Sequence, residues 1–286
     1  MPKRTIRLKE HEADTSRYSD SNERIRELSD DSLPAGPYLL RTDGQGFILT
    51  GNELKEDAPD LFVIGDSFVE SLFAEESSRF TSQLERGLRD AGIVHHVKNG
   101  GYSGMTSLHM LGVLTAKLPL LVKPGSRVLL VIGQSDANAL LSPSLYWEQS
   151  RTVTPFSEPT SGANDMRERW RQAFVAMVTT IVTFSKLSGF DFAITAGVFR
   201  NGNFDQDGVL RRTFRRDRGA YTDAIEKRLF IIDAVRSIAQ DHGIPIFDAS
   251  AEFLERPDFF YDLLHLNHAG QAAYAHALTS WIREGW

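Results

Sequence analysis

Apolar residues come in short bursts along this chain, and the bursts alternate with stretches of helical periodicity. The runs Leu61–Gly65, His95–Lys98, Arg127–Ile132, Phe190–Ala196 and Ile244–Phe247 read as strands. Apolar positions at helical spacing occupy 78–91, 106–118, 166–187, 220–241 and 269–283. Strands built of nearly unbroken Val, Ile and Leu are buried on both faces, which calls for a parallel sheet with helices above and below. The predicted fold is therefore α/β: a three-layer α/β/α sandwich around a central, mostly parallel five-stranded sheet. Ligands of such sheets bind beyond the carboxyl ends of the strands. Three of the strands run there into turns rich in Gly, Ser, Asn and Asp.

The N-terminal part is patterned differently. Residues 1 to about 32 are dense in charge and poor in large apolar groups, as in a loose arm or a surface helix. Further on, Asp43-Gly44 stands between Pro37-Tyr38-Leu39-Leu40-Arg41 and Gly46-Phe47-Ile48-Leu49, a hairpin signal. The expected division is an N-terminal arm and β-ribbon over 1–58, followed by the α/β/α domain over 59–286.

Composition narrows the function classes. The 286 residues are enough for a sizeable core, and 41% hydrophobic with 24% charged residues is ordinary for a globular protein. A net charge of −6 gives no global attraction to nucleic acid or an acidic membrane. The chain has no cysteine, so thiolate catalysis, disulfides and Cys-ligated zinc are excluded. No apolar run approaches the roughly 20 residues of a membrane helix. The start, Met1-Pro2-Lys3-Arg4-Thr5-Ile6-Arg7, has no apolar signal core, which makes the cytoplasm the expected location.

Four turns carry candidate chemistry. Gly65-Asp66-Ser67 ends the first run of the α/β region. Ser67 there is either a nucleophile or the N-cap of a capping box with Glu70. Val69 stands where the α/β-hydrolase elbow Gly-x-Ser-x-Gly has its last glycine, which disfavours that family. Asn99-Gly100-Gly101-Tyr102-Ser103-Gly104 follows the second run and does not match Gly-x-Gly-x-x-Gly, so a dinucleotide site is weakly supported. Gly133-Gln134-Ser135-Asp136-Ala137-Asn138 follows the third and holds oxyanion donors or helix caps.

The fourth turn is Asp262-Leu263-Leu264-His265, three residues of spacing that let a carboxylate hold one imidazole nitrogen while the other faces outward. Asp262, His265 and His268 as metal ligands is a lesser reading, because no further ligand cluster accompanies them. His11, His95, His96, His109, His242 and His276 lie away from such turns and read as surface or packing residues. Arg211, Arg212, Arg215, Arg216 and Arg218 crowd one stretch, either as a solvated face or as a site for an anionic substrate or partner.

In this order and placement, Gly65-Asp66-Ser67, Asn99 to Gly104, Gly133 to Asp136 and Asp262-x-x-His265 resemble the SGNH (GDSL-type) hydrolase family, over about 61–283. The resemblance implies a flavodoxin-like sandwich with Ser67 as nucleophile, His265 as general base and Asp262 as its orienting carboxylate. It also implies an oxyanion hole from the N–H groups of Ser67 and Gly104 plus a third donor. The family's third block reads Gly-x-Asn-Asp, and here the Asn position is Ser135, with Asn138 one turn further on.

The activity so implied is a serine esterase acting on a small acyl ester, such as O-acetyl on a carbohydrate, with no cofactor and no metal. Acyl transfer by the same residues and a non-catalytic carbohydrate-binding module in polysaccharide assembly are the alternatives. The expected partner is a small-molecule or carbohydrate ester, with no nucleic acid and no membrane span, and the oligomeric state is left open. The long connections 142–165 and 199–219 are candidates to close over the site.

Overall fold

The computed structural model describes residues 7–52, 57–137 and 163–286, the last segment with side chains from 168 onward. Six strands occur among the described residues: β1 Ser16–Ser19, β2 Tyr38–Arg41, β3 Asp60–Gly65, β4 His96–Gly101, β5 Arg127–Ile132 and β6 Asp191–Ala196. Helices among the described residues include α1 Glu23–Leu28, α2 Ser67–Glu70, α3 Phe80–Asp90, α4 Ser107–Ala116, α5 Ala163–Leu187, α6 Gly208–Thr213, α7 Arg218–His242, α8 Ser250–Phe253 and α9 His268–Arg283.

The central sheet is parallel, in the order β4-β3-β5-β6. Alternation along the strands divides the core. Phe62, Ile64, Val128, Leu130 and Ile132 face Met110, Val113, Phe174, Val178, Ile231 and Val235 of α4, α5 and α7. Leu61, Val63, Leu129 and Val131 face Leu84, Leu88, Tyr274 and Leu278 of α3 and α9. Both faces are thus covered, as near-continuous apolar strands demand. The order reverses between β3 and β5, and the crevice at their carboxyl ends is where such a fold places a ligand.

Three expectations need correction. The sheet has four strands and not five, because Ile244–Phe247 makes only one parallel bridge, Ile194 to Ile246. Pro245 has no N–H to donate, and Ile194 N–H donates to its carbonyl while Phe247 N–H donates to Ile194. Second, β4 continues through Asn99, Gly100 and Gly101, which pair in register with Val63, Ile64 and Gly65, so the turn begins only at Tyr102. Third, the charged arm is not loose: beside the surface helix expected there, α1 with no buried residue, it holds a strand. Ser16–Ser19 forms β1, antiparallel to β2, and takes the pairing expected of the hairpin's return strand. The Asp43-Gly44 turn does form, with Gly46 N–H donating to Asp43 O at 2.9 Å, but its return leg is one bridge, Thr42 to Ile48. Ile48 then bridges Asn99 of β4.

Candidate active site

The first turn after β3 is decided by which residue caps α2. Asp66 does: its Oδ1 accepts the Phe68 N–H at 3.0 Å. Ser67 is therefore the first helical residue, and its hydroxyl is released from the capping role that the sequence allowed. Asp66 Oδ2 accepts the Ser135 N–H at 2.9 Å, so one carboxylate ties the ends of β3 and β5 together. The fit is close: a Cβ on Gly133 would lie 2.2 Å from Asp66 Oδ2, so no other residue fits there without movement.

The freed hydroxyl meets the Asp262–His265 turn. Ser67 Oγ lies 2.8 Å from His265 Nε2, and His265 Nδ1 lies 2.7 Å from Asp262 Oδ2. Asp262 Oδ1 accepts the backbone N–H groups of Leu264 at 2.8 Å and His265 at 2.7 Å, which fixes the carboxylate. The Tyr261 ring stacks on the imidazole at 5.7 Å with 14° between planes. The pair keeps 26% of the His265 and 20% of the Asp262 side chain exposed.

Burial works to lower the His265 pKa, but the Asp262 carboxylate, followed by Asp66 and Glu70, holds it above the ordinary imidazole value. Burial likewise works to raise Asp262, and the His265 partner with the two backbone donors keeps it below the usual carboxylate range. An imidazole hydrogen-bonded this way can accept a proton from the serine and return it to a leaving group.

On the other side of Ser67 lies the turn after β4. Gly104 sits at φ +71°, the left-handed region that glycine enters freely. Among the described residues no hydrogen bond takes the N–H of Ser67 or of Gly104. The Ser67 N–H belongs to the first turn of α2, where helices leave donors unspent. Asp136, fully buried, accepts the Ser107 N–H at 2.9 Å and its hydroxyl at 2.7 Å, which seats α4 against the end of β5. Ser135 is placed beside Asp66 by its backbone, and Asn138 lies outside the described residues.

Sequence reasoning missed the supports of this side. Glu70 is not half of a capping box. It is buried, accepts the Ser103 hydroxyl, and stands 3.2 Å from His11 Nε2. Burial pushes the Glu70 carboxyl up, but His11 and Ser103 hold it below the usual range. His11 also packs on the Tyr102 ring at 4.7 Å. Lys9 Nζ donates to Gly104 O at 2.8 Å, and Lys117 Nζ reaches Glu10 at 2.8 Å. The N-terminal segment therefore braces the Gly104 turn.

Arg228 of α7 is a second missed residue. It is buried beneath the turns, and its Nη1 donates to Gln134 Oε1 at 3.0 Å, while Gln134 Nε2 donates to Gly197 O at 2.5 Å. Burial pushes its pKa down to about 10 against the pull of Asp66 and Asp262. An α-helical position with no local acidic partner gave no sign of either role.

The two imidazole nitrogens of His265 are engaged by Asp262 and Ser67, and His268 opens α9. Among the described residues no group of three or more His, Cys, Asp or Glu is arranged to hold a metal ion. No helix among them is long and apolar enough to cross a membrane.

No curated protein matches the chain at a significant level. Among solved structures, the acetyl xylan esterase AlAXEase is similar at a TM-score of 0.51 and 14% identity, covering 77% of this chain and 98% of its own. An acetylxylan esterase from Geobacillus stearothermophilus is similar at 0.51 and 18% identity, covering 80% and 94%. An alpha/beta hydrolase enzyme from the metagenome of Lake Arreo, Spain, is similar at 0.51 and 17% identity, covering 78% and 94%. At such identities the likeness speaks for the fold. The family model of GDSL-like lipases and acylhydrolases matches residues 63–273, from inside β3 to inside α9, and the chain belongs to that family.

Proposed function

We propose that the protein is a serine esterase that hydrolyses a small acyl ester, of the kind an O-acetyl group on a carbohydrate presents. The observation that carries the reading is the unbroken line from Ser67 Oγ to His265 Nε2 at 2.8 Å and from His265 Nδ1 to Asp262 Oδ2 at 2.7 Å. Ser67 Oγ attacks the ester carbonyl carbon as its proton passes to His265 Nε2. Asp262 keeps Nδ1–H pointed at itself and stabilises the imidazolium. The carbonyl π electrons move to oxygen, and the N–H groups of Ser67 and Gly104, with the Ser135 hydroxyl, receive the oxyanion. The C–O bond to the alcohol then breaks, and the alcohol oxygen takes the proton from Nε2. Water repeats the sequence on the acyl-enzyme, which frees the acid and restores the serine.

The recess beside Ser67 and His265 is lined by Phe68, Phe73, Tyr261, Leu266 and Gln271. Its lining is mostly apolar and leaves no room for a bulky acyl chain. Acetate release from p-nitrophenyl acetate by the wild type and by Ser67→Ala tests the reading; equal rates in the two would overturn it.

A second reading has its own observation. Ser135 stands where the family's usual third donor is an asparagine. A chain that keeps the fold but lacks an efficient oxyanion hole would serve as a carbohydrate-binding module. Covalent labelling of Ser67 by a fluorophosphonate counts against this, and a folded protein that resists labelling counts for it.

A further inference from the structure

The arginine-rich stretch forms a concavity of about 440 Å³ lined by Gly208, Arg211, Arg212, Arg215 and Arg216. All four arginines are exposed, and among the described residues no acidic side chain pairs with any of them. The nearby carboxylates are spent elsewhere. Asp207 caps α6 and binds Arg200 at 2.7 Å, Asp205 holds Arg218, and Asp217 caps α7. Arg211 and Arg212 complement the carboxyl end of α6. That leaves Arg215 and Arg216 unexplained. Both take left-handed backbone, at φ 50° and 63°, a conformation that non-glycine residues hold at a cost. The double left-handed turn folds the chain back so that these two guanidinium groups line the same hollow as the first two.

Two tethers link this hollow to the turn that carries Asp262 and His265. Arg200, bound to the α6 cap Asp207, donates its backbone N–H at 2.8 Å to the carbonyl of Leu263, two residues before His265. Arg212 Nη2 donates to Ser29 O at 2.7 Å, and the next residue, Asp30, donates its N–H at 2.7 Å to the carbonyl of Tyr261, the ring stacked on His265.

We propose that the Arg211–Arg216 hollow is a subsite for the carboxylate groups of an acidic polysaccharide whose O-acyl ester reaches Ser67. Guanidinium forks match carboxylates in a bidentate way. A long polymer can meet the hollow and Ser67 at once, whereas a small isolated ester meets only Ser67. The inference rests on the proposed ester activity for its account of what the polymer brings, but the hollow can be tested by binding alone.

The test compares the wild type with the triple variant Arg211→Gln, Arg215→Asn, Arg216→Asn, in which asparagine tolerates the left-handed turn. Retention in native gels cast with unacetylated polygalacturonate is expected for the wild type. It should weaken about tenfold in the variant, as the loss of three exposed charge pairs implies, and in the wild type as salt rises. KM for O-acetylated polygalacturonate should rise by the same factor, with rates on O-acetylated xylan and p-nitrophenyl acetate unchanged. Equal retention of wild type and variant overturns the subsite, and so does retention by single-stranded DNA without retention by polygalacturonate. Retention lost in the variant with no ester cleaved by the wild type would sink the esterase reading and leave the subsite standing. Cleavage of p-nitrophenyl acetate with no polymer retained would do the reverse.

Discussion

On one side of Ser67, the Asp262–His265 pair is completed within a single turn of chain: the carboxylate takes the imidazole and two backbone N–H groups from residues two and three places on. On the other side, the Gly104 turn is held by Lys9, His11 and Glu70, contacts that span up to 95 residues. The proposed proton-transfer side is a local motif, and the proposed oxyanion side is a tertiary assembly that depends on residues preceding the matched span 63–273. Damage to the first should abolish chemistry outright, and damage to the second should erode it by degrees.

The sharpest break comes from Ser67→Ala, expected to lower kcat on p-nitrophenyl acetate by roughly 10⁵-fold while the folded spectrum is kept. Asp262→Asn follows, at about 10⁴-fold, because an amide favours the wrong imidazole tautomer. The same variant sharpens the electrostatic argument. Only neutral His265 can accept the serine proton, so wild-type kcat/KM should fall as pH drops through a pKa above 6.5. Removing the carboxylate removes the main force raising that pKa, so the acid limb should move to lower pH in Asp262→Asn.

On the oxyanion side, Ser135→Ala should lower kcat by about 10- to 100-fold if its hydroxyl is the third donor. Ser135→Asn should then equal or exceed the wild type, and an effect under about twofold for Ser135→Ala would move the donor elsewhere. The smallest effect is expected from Lys9→Met. Losing one hydrogen bond to Gly104 O should cost about fivefold in kcat with KM unchanged, and Lys9→Arg should restore it. A change in KM instead would mean that Lys9 contacts substrate.

What could be read in the sequence follows the same divide. Asp262 and His265 were legible because three residues of spacing suffice to bring them together. Ser67 was legible as a strand-end serine, but its role was ambiguous, since Asp66 and Ser67 are both capping residues. The competition is resolved by chemistry: Asp66, one residue earlier, offers a charged acceptor to the Phe68 N–H. Charged acceptors make the stronger cap. Lys9, His11 and Arg228 gave no signal, because a long-range contact leaves no period in the sequence. His11 in particular read as a surface or packing residue, and it packs, buried against Glu70 and Tyr102. The fifth strand failed on Pro245, whose missing donor a hydrophobic pattern does not register. Of the two connections expected near the site, 199–219 supplies α6 and the arginine hollow, and 142–165 lies outside the described residues but for 163–165, which open α5.

The single bridges at Ile48 and Ile246 carry a consequence of another kind. They lie on the two outer strands of the sheet, one against Asn99 of β4 and the other against Ile194 of β6. An outer strand with free N–H and C=O groups is a template on which other chains pair and aggregate. Each outer strand here is occupied midway by a short segment too irregular to recruit a further strand, and on the β6 side Pro245 turns its carbonyl toward Ile194 and brings no N–H to lengthen that pairing. The features that cost the protein a fifth strand are thus expected to keep it from polymerising through its own sheet.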